Sequence, residues 1–275
     1  MKKSLVLALA LSMVLGLCAC GAKTEEAAPQ ADAAVETAVE ETVEAVVEEP
    51  APEVTEEAED TSVAVMSYDE FMAADLDSEV TVEAYVQAHQ SWWDEKITVY
   101  AQDENGGYFF YNMACSEADS EKLVPGTKIR VTGYKSEWSG EIEIADATFE
   151  IIDGSFVATA TDVTDKLGTD DISSYMNQFV SFTGMTVEAS QDAEGNDVAF
   201  LYNWDGSGEP GSDLYFNVSV GGNTYNFTVE SYLCGQDTDV YKAVEAFNIG
   251  DTVDMEGFLY WYEGVNPHIT KVTVK

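Results

Sequence analysis

The sequence has very little positive charge and almost no arginine. Of its 275 residues, 12 are Lys or Arg and 52 are Asp or Glu, which gives a net charge of −40. Arg130 is the single arginine, so recognition of phosphate or carboxylate groups by several guanidinium forks is excluded. A negative field of this size repels the phosphate backbone of nucleic acids and favours cations or basic partners. We therefore expect no nucleic-acid partner.

Histidine is scarce as well, and the sequence motifs of common catalytic and metal sites are missing. His89 and His268 are the two histidines, and neither lies near a cysteine in the sequence, so a zinc site is not expected. The acidic segments around Asp192 and Asp205 lack the spacing of an EF-hand loop and are interpreted as solvated turns. The sequence contains no G-x-S-x-G elbow, no H-E-x-x-H motif and no phosphate-binding glycine loop. We expect a protein that is not an enzyme and that carries no metal and no cofactor.

One stretch of the chain occurs twice. Residues 126–140 read GTKIRVTGYKSEWSG, and residues 250–264 read GDTVDMEGFLYWYEG, so that Gly126, Gly133 and Gly140 align without a gap with Gly250, Gly257 and Gly264. A period this long predicts a duplicated domain, because the repeats of solenoid proteins span only about 20 to 50 residues. In each copy, a helical segment precedes the repeated stretch, and a cysteine lies just before that segment. We interpret these two residues, Cys115 and Cys234, as buried free thiols, with a disulfide between them as the alternative.

The N-terminus has the composition of an export signal. Met1-Lys2-Lys3 is followed by an apolar run over residues 5–17, which is too short to span a bilayer of about 30 Å as a helix. The segment Leu17-Cys18-Ala19-Cys20 resembles the lipobox of bacterial lipoproteins. This resemblance implies a signal peptide over residues 1–19, lipidation of Cys20 and a location on the extracytoplasmic face of a bacterial membrane. An ordinary secretory signal is the alternative.

Residues 20–62 are rich in Ala, Glu, Val and Thr and contain one basic residue, Lys23. Repulsion between the acids opposes a stable isolated helix, so we predict a disordered acidic linker. A helix that docks on a partner is the alternative interpretation.

The remainder of the chain has the pattern of two small β domains. In residues 63–153, a capping box at Ser67 precedes three strand patterns, a short helix and two further strands. This order resembles the OB-fold, a five-stranded Greek-key barrel, with an SH3-like barrel or an irregular sandwich as alternatives. Residues 154–275 repeat the pattern with extra material, and residues 200–204 are the candidate for the second strand of this copy. The predicted fold class is therefore all-β with short helices, in two tandem OB-fold-like barrels.

Large aromatic residues occur in the polar loops of both copies. In OB-folds, ligands commonly lie across strands two and three, between the first-to-second and fourth-to-fifth loops. We consider two interpretations of these aromatics: plugs over the barrel ends, or a face that stacks on a glycan or peptide. The function expected from the sequence is a non-enzymatic, lipid-anchored binding protein for a glycan or peptide; the alternative is an assembly lipoprotein that binds another envelope protein through its acidic surface. The candidate contact residues are Trp92, Trp93, Trp138, Tyr260, Trp261 and Tyr262.

Overall fold

The structure is a computed structural model and describes residues 64–275. The predicted signal peptide (1–19), the lipidation site Cys20 and the predicted linker (20–62) lie outside the described residues. Within residues 64–275, no helix is both long enough and apolar enough to cross a membrane.

The first half of the described chain forms a closed five-stranded barrel. Its strands are ordered β1-β2-β3-β5-β4, with β4 returning to β1. The pairing of β3 with β5 is parallel and the others are antiparallel, as expected for an OB-fold. β5 continues two residues into the segment that the sequence assigned to the second domain. The strands are β1 (Glu79–His89), β2 (Lys96–Gln102), β3 (Gly107–Ala114), β4 (Thr127–Trp138) and β5 (Glu141–Ser155).

Two short helices belong to this half of the described chain. Helix α1 (Tyr68–Ala73) begins at the predicted capping box, in which Ser67 and Glu70 satisfy each other's backbone N–H groups. Helix α2 (Glu117–Ser120) lies between β3 and β4, and the side chain of Ser116 caps its first turn.

The second half forms a barrel with the same strand order. The barrel strands run β7-β11-β12-β14-β13, and β13 pairs with β7 to close the circle. The sequence suggested Phe200–Trp204 as the second strand, but that place is taken by β11, and only a two-residue strand forms there. The strands are β6 (Thr161–Asp162), β7 (Phe179–Glu188), β8 (Ser190–Gln191), β9 (Asp197–Val198), β10 (Leu201–Tyr202), β11 (Leu214–Val220), β12 (Asn223–Val229), β13 (Thr252–Phe258) and β14 (His268–Val274).

The helical segments of this half are short. Two 3₁₀ helices, Thr164–Lys166 and Asp170–Tyr175, precede β7. Helix α3 (Asp239–Glu245) is capped by Thr238, contacts β14 and lies between β12 and β13 in the chain, as α2 lies between β3 and β4. Cys115 and Cys234 precede these two helices, and both are free and buried, as expected.

The repeated stretch begins with the same conformation in both barrels, although β4 continues to Trp138 whereas β13 ends at Phe258. The N–H of Gly126 donates to the carbonyl of Val86, and the N–H of Gly250 donates to the carbonyl of Val187, at 2.7 and 2.8 Å. Their φ angles are 94° and 95°, in the left-handed region that glycine adopts readily. Because β1 and β7 hold these carbonyls at equivalent places, the predicted duplication is confirmed in the fold.

Each barrel has its own hydrophobic core, and a third, smaller cluster lies between the barrels. The two large cores share no residue. The small cluster consists of Tyr100 and Phe109 from the first barrel and Phe258 from the second, all buried. Two barrels with an aromatic contact between them are therefore the architecture of residues 64–275.

Candidate ligand groove of the second barrel

The sheet face that commonly binds ligands in OB-folds is covered in the first barrel. Tyr100 on β2 and Phe109 on β3 point away from their own core and pack against the second barrel. The ring of Tyr100 stacks on that of Phe258 with 4.5 Å between centroids. Since strands two and three provide the usual binding surface, this surface of the first barrel serves as a contact between domains.

Hydrogen bonds around the aromatic cluster fix the relative position of the two barrels. The hydroxyl of Tyr100 and Nδ1 of His268 are 2.6 Å apart. The side chain of Gln102 accepts from the N–H of Phe179 at 2.7 Å. Further bonds join the loops of the two barrels: Trp261 N–H to Glu141 Oε2 (2.9 Å), Glu263 N–H to the carbonyl of Ser139 (2.8 Å), and Ser91 N–H to the carbonyl of Tyr232 (2.7 Å).

The equivalent face of the second barrel is open and forms a groove of about 830 Å³. Its floor consists of β11, β12 and the start of β14, and the loop between β13 and β14 forms one wall. Within residues 64–275, no Lys or Arg lines this groove. The lining residues are four aromatics, three acids, two amides and a few others: Trp204, Tyr215, Tyr260, Tyr262, Asp213, Glu230, Glu263, Asn226, Asn266, Thr228, Gly264, Val265 and His268.

The groove aromatics differ in how firmly they are held. Tyr260 stacks on His268 with 4.2 Å between centroids, and burial raises its pKa. Tyr215 is partly buried, and desolvation, with the nearby charges of Asp213 and Glu230, raises its pKa to about 12. Trp204 and Tyr262 are 71% and 52% exposed. The groove therefore has fixed rings at its base and two exposed rings at its rim.

Two of the groove carboxylates are held by backbone donors. Asp213 Oδ1 accepts from the N–H and the hydroxyl of Ser231 at 2.8 and 2.6 Å. Glu230 accepts from the N–H groups of Tyr232 and Leu233 at 3.1 and 2.9 Å. Burial of Glu230, reinforced by the charge of Asp213, raises its pKa to about 7. Glu230 is therefore a fixed acid that changes charge near neutral pH.

His268 adds no positive charge to the groove. It is buried, and desolvation lowers its pKa to about 3. With one ring nitrogen bonded to the hydroxyl of Tyr100, the neutral imidazole positions the ring of Tyr260. The electrostatic character of the groove is thus set by its carboxylates alone.

The amides hold the wall loop against the floor. Asn266 Nδ2 donates to the carbonyl of Asn226 at 3.2 Å, and the hydroxyl of Thr228 donates to Asn266 Oδ1 at 3.3 Å. These bonds join the loop that carries Tyr260 and Tyr262 to β12. These bonds therefore fix the position of the groove wall relative to its floor.

The six predicted contact residues do not form one site. Tyr260 and Tyr262 line the groove, whereas Trp261 packs against the second core and lies next to Gly140. Trp92 packs against the first core and donates its indole N–H to the carbonyl of Cys115 at 2.8 Å. Trp92 therefore covers the barrel core, as expected if the loop aromatics plug the ends of the barrels.

The two remaining tryptophans of the first barrel are exposed but lie outside the groove. Trp93 is 75% exposed and Trp138 is 60% exposed. Trp138 is the last residue of β4, paired with Glu141 across a tight turn, and does not belong to a loop as the sequence suggested. Neither residue lines the groove of the second barrel.

Trp204, Tyr215 and Glu230 line the groove but were not predicted from the sequence. Trp204 carried a usable signal, since it is a large aromatic in a polar, Gly-rich segment, as Trp93 is. Tyr215 and Glu230 had no such signal, because an aromatic in a strand and an acid in a turn are common in any β protein.

Comparison with known proteins finds similar solved structures only at low sequence identity. No protein-family model and no curated protein matches it. Among solved structures, the Ifi202 HINa domain in complex with 20-base-pair double-stranded DNA is 12% identical, with a TM-score of 0.32, over 72% of this chain and 98% of that one. A murine DNA-binding protein bound to double-stranded DNA is 10% identical, with a TM-score of 0.35, over 71% and 96% of the two chains. A replication protein A heterotrimer bound to single-stranded DNA is 10% identical, with a TM-score of 0.25, over 77% and 69%.

These comparisons contradict two expectations from the sequence. The expected ligands were a glycan, a peptide or an envelope protein, and nucleic acid was excluded as a partner; the matched structures include several complexes with DNA. Net charge describes the whole chain and does not by itself exclude a ligand that meets one face. At 10 to 12% identity for the three structures described, the likeness concerns the fold. The ligand of this chain has to be inferred from its own groove.

Proposed function

We propose that the groove of the second barrel binds a compact organic cation, such as a quaternary ammonium or a polyamine, without chemical turnover. The observation that carries this proposal is the lining itself: four aromatic rings and three carboxylates, with no lysine or arginine among the described residues that line it. Aromatic faces attract cations through their negative quadrupole, and nearby carboxylates add a direct charge interaction.

The positions of the side chains support a cation at the centre of the groove. Tyr215 and Glu230 lie on the floor, Tyr260 lies beside them, and Trp204 and Tyr262 are exposed at the rim. A cation on the floor would contact the tyrosine rings and carboxylates held by backbone donors, so little reorganisation would be required.

The charge of the whole chain supports the same ligand class. A net charge of −40 raises the local concentration of cations and accelerates their association, most strongly at low ionic strength. The groove would then bind the cations that this charge attracts.

Calorimetric titration of the purified chain with choline tests the proposal. We expect binding to the wild type and none by 3,3-dimethylbutan-1-ol, an uncharged compound of the same shape. Trp204→Ala should weaken choline binding by about 3- to 30-fold, the range for a partly exposed to desolvated cation–π contact. Trp93→Ala is the matched control, because Trp93 is an equally exposed tryptophan outside the groove, and it should bind as the wild type does.

A single-stranded oligothymidylate is the competing ligand in this experiment. The DNA complexes among the matched structures make it the relevant comparison. Oligothymidylate binding that Trp204→Ala weakens, together with no choline binding, would reject the organic cation and assign the groove to nucleic acid.

We further propose that the protein is exported and anchored to the outer face of a bacterial membrane through Cys20. The support is the charged start, the apolar run and the Leu17-Cys18-Ala19-Cys20 motif. Metabolic labelling with a fatty acid should modify the wild type, and Cys20→Ser should abolish the label. Labelling that persists in Cys20→Ser would reject this anchor.

A further inference from the structure

Glu141 is a carboxyl group buried at the junction of the two barrels. It is the first residue of β5 and is fully buried. Its Oε2 accepts from the N–H of Trp261, in the loop between β13 and β14 of the second barrel, at 2.9 Å. Its Oε1 has no hydrogen-bond partner. One oxygen of this carboxyl therefore joins the barrels, while the other is left unsatisfied.

The side chain of Asn177 is a hydrogen-bonding neighbour of Glu141, and it too has a buried oxygen without a donor. It is buried just before β7 and has a φ of 63°. Its N–H donates to the carbonyl of Leu259 in the second barrel at 2.9 Å, and its Nδ2 donates to the carbonyl of Ile142 in the first at 3.0 Å. Its Oδ1 has no partner. Asn177 thus also joins both barrels, with one acceptor unsatisfied.

Two neighbouring buried acceptors without a donor are costly, since each loses its hydrogen bonds to water on folding. A single proton removes both deficits, because a protonated carboxyl group is a donor and an amide oxygen is an acceptor. In residues 64–275, these two oxygens are the buried side-chain atoms without a partner. We propose that Glu141 is protonated in the folded protein and donates from Oε1 to Asn177 Oδ1, which makes this proton part of the contact between the barrels.

Burial and the charged groups around Glu141 favour the neutral acid, whereas the neighbouring amide of Asn177 and the N–H of Trp261 favour the carboxylate. Glu143 on the same strand adds a like charge, and three tyrosines approach from other elements: Tyr68 on α1, Tyr100 on β2 and Tyr260 after β13. None of the salt bridges among the described residues involves Glu141. Desolvation, more than any of these charges, raises the pKa of Glu141 to about 8.

The sign of the pH effect follows from the raised pKa. Unfolded, a glutamate has a pKa near 4.3, so between that value and about 8 the folded protein holds a proton that the unfolded chain has released. Stability is therefore highest below the unfolded pKa, and it falls as pH rises until Glu141 ionises in the folded state. Above that point a buried charge faces Asn177 Oδ1, and the contact between the barrels weakens.

Glu141→Gln tests the proposal, because a carboxamide copies the neutral acid. Its oxygen can accept from Trp261, and its NH₂ can donate to Asn177. The folding equilibrium constant of the variant, relative to wild type, should rise about tenfold per pH unit between pH 5 and 8 and then level off. Glu137→Gln is the control, since it removes an exposed carboxylate on the adjacent strand. The ratio of its folding equilibrium constant to that of the wild type should not change with pH. A constant ratio for Glu141→Gln would overturn the proposal.

A direct measurement keeps the proposal testable should the variant fail to fold. In wild-type protein labelled with ¹³C at the glutamate carboxyl, the Glu141 signal should titrate with a midpoint near pH 8. A signal that is already that of a carboxylate at pH 6 would overturn the proposal. Neither experiment involves a groove ligand, so the outcome is independent of the organic-cation hypothesis.

Discussion

Glu230 makes the proposed cation site sensitive to pH. Its carboxylate is buried in the groove floor, and its pKa is raised to about 7 by desolvation and by Asp213. At pH 6 most of the Glu230 population is neutral, and at pH 8 most of it is negative. A cation binds more tightly when the Glu230 carboxyl is ionised. The affinity of the groove for the cation should therefore increase as pH rises through neutrality.

Choline titrations at pH 6 and pH 8 should therefore differ by about tenfold in affinity, with the tighter binding at pH 8. Glu230→Gln should weaken binding at pH 8 and reduce the difference between the two pH values to less than about twofold. A wild-type affinity independent of pH would show that Glu230 does not contact the ligand.

Adjacent tryptophans show what the sequence could not decide at the scale of single residues. Trp92 and Trp93 share the same polar surroundings in the sequence, yet Trp92 packs on the core and Trp93 is exposed. Trp93 pairs with Lys96 as a strand residue does, and successive side chains of extended backbone point to opposite sides. The plug interpretation therefore fits Trp92, whereas Trp93 is exposed and does not line the groove.

At the scale of strands, Gly133 and Gly257 mark the same irregularity in the two barrels. The register shifts beside each of them, in the β4–β5 and β13–β14 pairs. A Cβ on Gly257 would lie 2.2 Å from the carbonyl oxygen of His268, and one on Gly133 would lie 2.8 Å from that of Ala145. Both contacts are with backbone atoms, which cannot move aside as the end of a side chain can.

Gly257→Ala should therefore destabilise the protein by about 3 kcal/mol or more, through overpacking against the backbone. Chemical denaturation followed by tyrosine and tryptophan fluorescence would measure the loss. Gly235→Ala is the control, because its Cβ would meet only an ordinary contact at 3.6 Å, and it should change stability by less than about 1 kcal/mol. Equal effects of the two substitutions would show that the strand can shift to accommodate a side chain at Gly257.

The elements that the sequence predicted well are those specified by local patterns. The capping box at Ser67 and the repeated glycines depend on residues within a few positions of one another, and both are present as expected. The second strand of the second barrel was assigned wrongly because Phe200–Trp204 is as apolar as β11. What distinguishes the two segments is pairing: β11 pairs with both β12 and β7, and β10 pairs only with β11 at the sheet edge.

At the scale of the whole molecule, the two barrels are joined through the faces of β2 and β3. These strands carried a signal in the sequence, because residues 97–101 and 108–111 are apolar almost without alternation. In an antiparallel sheet such a run indicates that both faces are covered. Tyr108 and Phe110 fill the first core, whereas Tyr100 and Phe109 pack on the second barrel. The identity of the covering surface depends on residues more than 100 positions away, which no local pattern specifies.

Tyr100 should therefore couple the folding of the two barrels. Its buried ring stacks on Phe258, and its hydroxyl is bonded to His268, so truncation removes an aromatic contact and leaves a buried imidazole without its partner. We expect one cooperative calorimetric transition for the wild type and two resolved transitions for Tyr100→Ala. Tyr134→Ala, which removes an exposed tyrosine of the first barrel, should keep a single transition. If Tyr100→Ala only lowers the temperature of one undivided transition, the hydrogen bonds between the loops, and not the aromatic cluster, hold the barrels together.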